Sequence, residues 1–403
     1  MTENGFKEFS LDEIARIGAQ TMIRLALEAE LNLCIKEMSA TQTPEGLAGI
    51  VRNGFHKDRK VTVGSGTIDV SVPRTRNRIG SKDNFSSEII PPYMRRSLKV
   101  DEAIPLLYLK GISTGNMADS LRGLLGDEAS GLSAANVSRL TQEWKTEYDK
   151  WEMHSFDHKK YCYIFADGIY TTVCSGEKKV CILVIIGVTE SIKKELITVA
   201  SGYRESTDDW SELLRSLKAR GLTSPALAVG DGALGFWGGM REVFPETKWQ
   251  RCWVHKKRNV LNKMPKSVLK EASGMLDDIC NAEKRADADK AFDTFINRFE
   301  STQYKAVECL VKDREELLQF YSFPKEHWKH IRTTNPIEST FATIRLRTKS
   351  TRGMGTEQTT HMMVFKLVQA ASRRWKRIWG SQLIDFALKG EVFVDGELVN
   401  EVA

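Results

Sequence analysis

Several features that would place this chain in a familiar class are missing from it. No apolar stretch is long enough to cross a bilayer. The longest run, Val180 to Val188, falls far short of the roughly 20 residues that a membrane helix needs. The first residues are polar and lack the apolar segment of a secretory leader, so export is not expected. Cysteine is scarce: the seven among 403 residues are an odd number at irregular spacing. That argues against a disulfide framework and for a reducing compartment. A strong charge of one sign is lacking too, with 59 Lys and Arg against 53 Asp and Glu and a net charge of +6. Such a balance names no partner, so any signal must lie in how the charge is distributed. These absences lead us to expect a cytoplasmic protein with no membrane partner.

What is present is an ordinary globular composition, 41% hydrophobic and 28% charged, long enough for about two to four domains. The charge is segregated. Residues 1–50 hold four basic residues against eight acidic ones, and residues 51–100 hold eleven against four. Residues 341–380 hold nine basic residues against one acidic, Glu357. Two basic blocks around a near-neutral middle suggest contact with a polyanion at two places. Either block alone would also suit a solvated face.

Leu11 to Met38 has a helical apolar pattern, with Ile14, Ile17, Met22, Leu27 and Leu31 on a broad face, and predicts a core or dimer helix. Next comes a basic loop, Arg52 through Lys57, Arg59 and Lys60. Alternating runs on both sides of Gly64-Ser65-Gly66 predict a hairpin, which Pro73-Arg74-Thr75-Arg76-Asn77-Arg78 closes. Loop and ribbon suit phosphates or a minor groove. Arg52, Lys57, Arg59, Lys60, Arg74, Arg76 and Arg78 are therefore candidate DNA-binding residues. Residues 79–98, with Gly, Ser and Pro, read as a linker.

Residues 99–152 predict a helix-turn-helix module. One helix with Ile104, Leu106, Leu107 and Leu109 ends at Gly111; Thr114 can cap a second and Ser133 a third. The third would bury Val137, Leu140 and Trp144 and expose Asn136, Arg139, Gln142 and Lys145. Short polar side chains near a helix N-terminus suit major-groove reading, although any three-helix bundle shares the pattern.

The clearest strands follow. Tyr161 to Val173 is aromatic and β-branched, Lys179 to Val188 is nearly continuous in apolar residues, and Leu196 to Ser201 is a third strand. A helix from Thr207 ends at Gly221. A short buried strand, Pro225 to Gly230, then ends on Asp231; a helix with Phe236, Trp237 and Met240 and a fifth apolar segment, Trp249 to Val254, come next. Three antiparallel strands, helix, strand, helix and strand match the order of an RNase H-like fold. That order sets the middle of the first strand beside the end of the fourth, so Asp167 and Asp231 would face one cleft. Each Asp-Gly pair can also be a plain turn. Two acids at two such places on buried apolar strands, however, need a counter-charge, which a divalent cation supplies.

Residues 256–331 read as helical: Val268 to Cys280, Ala286 to Phe299 and Ala306 to Tyr321. Thr334 to Arg347 then looks like a helix start. Asn335 can cap it, Pro336 suits the first turn, and Ile337, Phe341 and Ile344 form an apolar stripe. Glu338 is placed either to fold back on the cap or to serve as a third acid. Arg345 lies two turns on, on the same side.

These residues together resemble the Mutator-type transposases of bacterial insertion sequences. The matching stretches are Arg52-Asn53-Gly54, Asp167-Gly168, Val229-Gly230-Asp231-Gly232, Cys252-Trp253-Val254-His255, and His327-Trp328-Lys329 through Asn335-Pro336-Ile337-Glu338-Ser339 to Arg345-Leu346-Arg347-Thr348. The resemblance implies an α/β chain: an RNase H-like catalytic core with an all-α insertion, preceded by N-terminal helical and helix-turn-helix DNA-binding modules. The expected limits are 1–78 for the helix and basic ribbon, 79–98 for the linker and 99–152 for the helix-turn-helix. The core would occupy 155–255 and 332–403, with the insertion at 256–331. Asp167, Asp231 and Glu338 are implied to be the DDE acids, and Cys252 and His255 the C-x-x-H signature beside them.

Phosphodiester transfer needs a deprotonated nucleophile and a stabilised leaving oxygen, and two Mg²⁺ ions do both. The three acids would hold them, Mn²⁺ being able to substitute. Arg345 and Arg347 would hold phosphates, and Lys349 and Arg352 continue the basic helix as DNA contacts. C-x-x-H supplies half of a zinc site, which His327 and His330 would have to complete. The alternative is that His255 touches the scissile phosphate or an acid while Cys252 packs beneath it. Trp237 and Trp328 suit a core better than base stacking. The implied partners are terminal inverted repeats and target DNA, bound by a homodimer or higher oligomer at the bacterial nucleoid. An RNase H-like nuclease, or a DNA-binding regulator without strand transfer, shares parts of this pattern.

Overall fold

A computed structural model of the chain describes residues 9–38, 42–79, 84–112, 114–127, 134–172, 179–202, 205–232, 234–351 and 356–399. The chain divides into two compact units, residues 1–143 and 144–403.

In the first unit α1 (Leu11–Glu37) opens with a capping box: Ser10 Oγ accepts from the Glu13 amide, and the Glu13 carboxylate accepts from the Ser10 amide. Of its apolar residues only Leu27 and Leu31 are fully buried, packed with Val61, Ile68, Val70 and Val72. Leu11, Met22, Leu25 and Leu33 stay exposed, so the apolar face is only half used. β2 (Arg59–Val63) and β3 (Gly66–Val70) form the expected hairpin. The supposed basic loop is instead a strand, β1 (Ile50–Phe55), paired antiparallel with β4 (Pro73–Asn77). β4 buries Pro73 and Thr75 and exposes Arg74 and Arg76, so its alternation is polar on both faces and hides the strand from a hydrophobicity reading. The 79–98 segment is no free linker. Phe85 and Ile90 sit in the same core, and Glu30 accepts hydrogen bonds from Ser87 Oγ and the Glu88 amide, both 2.6 Å. Two apolar anchors outweigh its loop-like composition. Helices α2 (Leu98–Leu109), α3 (Thr114–Leu125) and α4 (Ala134–Glu152) follow. Ile104, Met117 and Leu121 form a small core with Leu107, Leu125 and Leu140 against it. Thr114 is the first residue of α3, not its cap, and Ser133 lies outside the described residues.

The second unit is built on a five-stranded sheet in the order β7-β6-β5-β8-β9. β5 (Tyr161–Thr172), β6 (Lys179–Thr189) and β7 (Lys194–Gly202) are antiparallel neighbours. After α5 (Thr207–Ala219), β8 (Leu227–Gly230) runs parallel to β5; after α6 (Leu234–Val243), β9 (Lys248–Arg251) runs parallel to β8. Ile164, Ala166, Leu183, Ile185 and Ala228 pack against Trp210 and Leu214 of α5 and Phe236 and Met240 of α6. Burial on both faces explains why these strands read as continuous apolar runs.

The close approach of α5 and α6 depends on Gly235, where a Cβ would lie 2.0 Å from the Glu205 carbonyl oxygen and 2.7 Å from the Ser206 carbonyl carbon. Both atoms are backbone and cannot swing aside. Gly235→Ala should therefore lower stability by about 2–3 kcal/mol. Gly274→Ala, on an exposed helix surface with nothing within 4 Å, should be neutral or stabilising by up to about 1 kcal/mol. Urea midpoints of the two variants check this, and equal midpoints would contradict it.

The helical segment comprises α7 (Trp253–Leu261), α8 (Leu269–Asn281), α9 (Arg285–Phe299), α10 (Tyr304–Val311), α11 (Arg314–Leu318) and α12 (Trp328–Ile331). Two expectations change here. The fifth strand stops at Arg251, and Trp253 to His255 begins a helix; these apolar residues suit strand or helix by composition alone. The expected helix Ala306 to Tyr321 is broken between α10 and α11. At the break Asp313 forms ion pairs with Arg251 and Lys256. The chain continues as α13 (Asn335–Thr351), α14 (Glu357–Ser372), α15 (Ile384–Leu388) and the small pair β10 (Phe393–Val394) and β11 (Glu397–Leu398). Among the described residues no helix is long and apolar enough to cross a membrane.

Candidate functional site

Sheet register fixes the first two acids. β5 and β8 are parallel with Ala166 opposite Gly230, so Asp167 and Asp231 are the next residues on adjoining chains. Asp167 is 8% exposed, and its Oδ1 accepts from the Gly168 amide at 2.9 Å.

The third acid arrives on α13. Ile337, Phe341 and Ile344 are all fully buried, which sets the helix against the sheet. Its capping position is Thr334, not Asn335: the Thr334 carbonyl accepts from the Ile337 and Glu338 amides at 3.0 Å each. The Glu338 carboxylate does not fold back. Oε1 lies 2.8 Å from His255 Nε2, and Oε2 lies 3.7 Å from Arg345 Nη1.

His255 is placed by the start of α7. The Cys252 amide donates to the Gly230 carbonyl at 2.8 Å, tying the helix to the end of β8, and His255 follows one turn later. Thr334 donates to Cys252 Sγ through both its amide and its hydroxyl, each 3.3 Å. The Thr334 hydroxyl also lies 3.5 Å from His255 Nδ1. A buried Cys–Thr–His contact thus locks the two elements carrying His255 and Glu338 together. Ligand atoms of Asp167, His255 and Glu338 all lie within 4.8 Å of one another.

The cluster is short of positive charge. Burial first, and then Asp231, push Asp167 up to about 8, with His255 pulling the other way. Burial lowers His255, but Cys252, Asp167 and Asp231 outweigh it and the net shift is upward. Burial raises the Cys252 thiol, yet hydrogen bonds with His255 and Thr334 bring it below its ordinary value. Converging carboxylates that repel one another are the donor set a hard divalent cation prefers, and the residues present fit one.

Sequence reasoning missed a fourth acid. Glu205 has a left-handed φ of +55°, and a Cβ on Gly168 would lie 2.2 Å from its Oε1. Its carboxyl is raised by burial and then by Asp231. Its position depends on a backbone angle that carries no pattern in sequence. Thr334 and Arg251 were also missed. The Arg251 guanidinium occupies the space where a Gly232 side chain would stand, next to Asp231.

Other expected residues fall elsewhere. Arg347 is 4% exposed and has no surface to offer a phosphate, whereas Arg345 is exposed. Residues two apart on a helix point to nearly opposite sides, so both could not line one cleft. The zinc site is not assembled. His327 Nδ1 accepts from the Tyr163 hydroxyl at 2.6 Å and Nε2 donates to the Gly380 carbonyl at 3.1 Å, leaving no ring nitrogen for a metal. Trp237 stacks on Trp249 at 5.5 Å, and Trp328 packs on Phe320 and Tyr321; both are core residues.

In the first unit Arg59 is used internally, donating to the Ile90 and Pro91 carbonyls at 2.8 Å. Arg52 pairs with Glu28 at 2.6 Å, and Arg74 donates to the Asn53 carbonyl. Lys57, Lys60, Arg76 and Arg78 are exposed. On α4, Arg139 and Gln142 are exposed and Lys145 is half-buried, with Arg139 paired to Glu143 at 2.7 Å. Lys349 is exposed. The Asn136 side chain and Arg352 lie outside the described residues.

Residues 3–378 match the family model described as "Transposase, Mutator family". The chain is 45% identical over 300 residues to a transposase for insertion sequence element IS6120 from Mycolicibacterium smegmatis, covering 74% of this chain and 93% of the relative. It is 47% identical over 282 residues to a transposase for insertion sequence element IST2 from Acidithiobacillus ferrooxidans, covering 70% and 95%. A transposase for insertion sequence element IS905 from Lactococcus lactis is 29% identical over 340 residues, 84% of each chain.

Proposed function

From the premise that this chain belongs to the Mutator family of transposases, we propose that it moves a bacterial insertion sequence by a DDE mechanism. It would bind the element's terminal inverted repeats, cut a strand at each end and join the freed 3′-OH to target DNA. The observation that carries this is the convergence of Asp167 and Glu338 with His255 inside 4.8 Å, beside Asp231. The sheet order β7-β6-β5-β8-β9 supports an RNase H-like core, and α7 to α12 support an all-α insertion.

Asp167, Asp231 and Glu338 would hold two Mg²⁺ ions, or Mn²⁺ in their place. Bound there, such ions activate the attacking oxygen and stabilise the leaving one. The chain's own residues do the rest. His255 aims the Glu338 carboxylate through its 2.8 Å contact. Thr334 and Cys252 fix that imidazole. Arg345, exposed and 3.7 Å from Glu338, is placed to take a phosphate oxygen as DNA arrives. Helices α2 to α4 and the β1–β4 ribbon would recognise the end sequence, with exposed Lys57, Lys60, Arg76 and Arg78 on the backbone. Pairing two ends calls for at least a dimer, in the cytoplasm beside the nucleoid.

The test is incubation with the element's own terminal repeats and target DNA in Mg²⁺, scoring nicking and joining separately. Both products are expected. Nicking without joining would favour an RNase H-like nuclease, and binding with neither would favour a DNA-binding regulator.

A further inference from the structure

A second concave site lies beside the first turn of α13 and encloses about 330 Å³. Lys194, Lys329, Arg374 and Lys376 contribute to its wall, and none of its lining residues is acidic. Among the described residues none of these four cations forms an ion pair with a carboxylate. Two of them are nevertheless held in place. Lys194 Nζ donates to the Lys376 carbonyl at 2.6 Å, joining the start of β7 to the chain after α14. The Lys329 ammonium sits 5.1 Å from the centre of the Trp379 ring. His330 Nε2 and Trp375 Nε1 are buried there without a hydrogen-bond partner. The histidine is kept neutral, pushed down to about 4 by burial and then by Lys194, His327 and Lys329.

Four like charges gathered in a concavity raise the local potential and favour an anion. α13 adds its own N-terminal end, through Asn335, Pro336 and Ser339. Asn335 and Ser339 are four residues apart and share a face. Glu338, the neighbour of Ser339, points about 100° away around the helix. Pocket and carboxylate therefore flank the same turn, separated by less than one helix diameter, roughly 8 Å for a 100° step around a helix about 10–12 Å across.

We propose that this pocket binds a phosphodiester of the DNA strand that runs to the carboxylate cluster. At an advance of about 3.4 Å per nucleotide, it would lie about two nucleotides from the scissile phosphate. The proposal rests on the reading of the cluster as the strand-cutting site. It assigns to Lys194, Lys329, Arg374 and Lys376 the task of holding the strand in line with Glu338, while Arg345 acts on the cluster side of the helix.

The test uses the full chain, carrying Glu338→Gln to prevent cutting, and end-containing duplexes in which single phosphates are replaced by neutral methylphosphonates. In this background affinity should fall about tenfold for a replacement one to three nucleotides from the cleavage point. Adding Lys329→Ala and Arg374→Ala should weaken unmodified DNA about tenfold and abolish the response to that one replacement. It should also reduce the slope of log affinity against log salt by about two. Arg374→Lys should keep the response. Lys329 and Arg374 are exposed, so the fold should survive both changes. An unchanged methylphosphonate profile or an unchanged salt slope in the double variant would overturn the pocket's role. If the native chain neither binds nor cuts end DNA, the proposed function itself has failed; if it does both while the double variant behaves as the parent, only the pocket has.

Discussion

Replacing Asp167 or Asp231 by Asn, or Glu338 by Gln, should lower strand cleavage about 10³-fold or more while leaving end-DNA affinity unchanged or slightly improved. The size of the effect follows from what each carboxylate does. Removing one preorganised electrostatic partner of a transition state costs about 10²–10³-fold, and loss of an ion-holding oxygen removes activation of the nucleophile as well. The sign of the binding effect follows from charge. Each acid adds negative charge beside the approaching phosphate, so removing one eases that approach, and least so for Asp167, whose pKa, raised to about 8 by burial and Asp231, favours the neutral form near pH 7. Each substitution keeps size and hydrogen-bonding capacity. In Asp167→Asn the side-chain carbonyl oxygen could still accept from the Gly168 amide that Asp167 now engages. Gel-shift affinity and single-turnover nicking, measured on the same preparations, check both halves. Wild-type nicking by all three variants would remove the acids from the mechanism, whereas parallel loss of binding and nicking would point to misfolding.

The second large effect is on stability and depends on pH. Asp167 has a pKa raised to about 8 from its ordinary 3.8 by burial and by Asp231. A carboxyl raised on folding binds its proton more tightly in the folded state. Its favourable contribution is therefore complete below about pH 4 and is lost as pH rises through about 8. At about 1.36 kcal/mol per pKa unit, the loss is at most about 6 kcal/mol. In a chelator the wild-type chain should melt at a lower temperature at pH 8.5 than at pH 6. Asp167→Asn should narrow that gap and melt above the wild type at pH 8.5. Millimolar Mg²⁺ should raise the wild-type melting temperature at pH 8.5 and do much less for the variant. Thermal melts at the two pH values, with and without Mg²⁺, decide it. A wild-type chain indifferent to pH in this window, or an equal Mg²⁺ response in the variant, would refute the charge-repulsion account.

Chemistry and folding thus separate at one residue. A variant that is inactive yet more stable at high pH is what a site assembled against its own electrostatic repulsion should give. Loss of both properties would instead mean that Asp167 stabilises the fold through its contact with Gly168.

The main elements of the second unit are legible because local physics writes them into sequence. Strands buried on both faces become unbroken apolar runs, as in β5 and β6. An acid immediately after such a run stands out, as Asp231 does after Leu227–Gly230. The stripe Ile337, Phe341 and Ile344 fixes which face of α13 is buried, and hence that Glu338 is not on it. Elements whose pattern is polar, or fits two structures, mislead: β1 reads as a loop, residues 79–98 as a linker, and the start of α7 as a strand.

The sequence by itself therefore determined the order of the elements, the positions of three acids within them, and the neighbourhood of Cys252 and His255. Tertiary structure alone decided which groups meet. It turned Glu338 from its own cap toward His255, buried Arg347 while leaving Arg345 exposed, and engaged both nitrogens of His327. It set Glu205 against Gly168 and gathered Lys194, Lys329, Arg374 and Lys376 into one pocket. The physical reason is range. Backbone propensity and hydrophobic periodicity act over a few residues and leave a periodic trace. The direction of a charged side chain is set by partners tens or hundreds of positions away, through contacts that leave none.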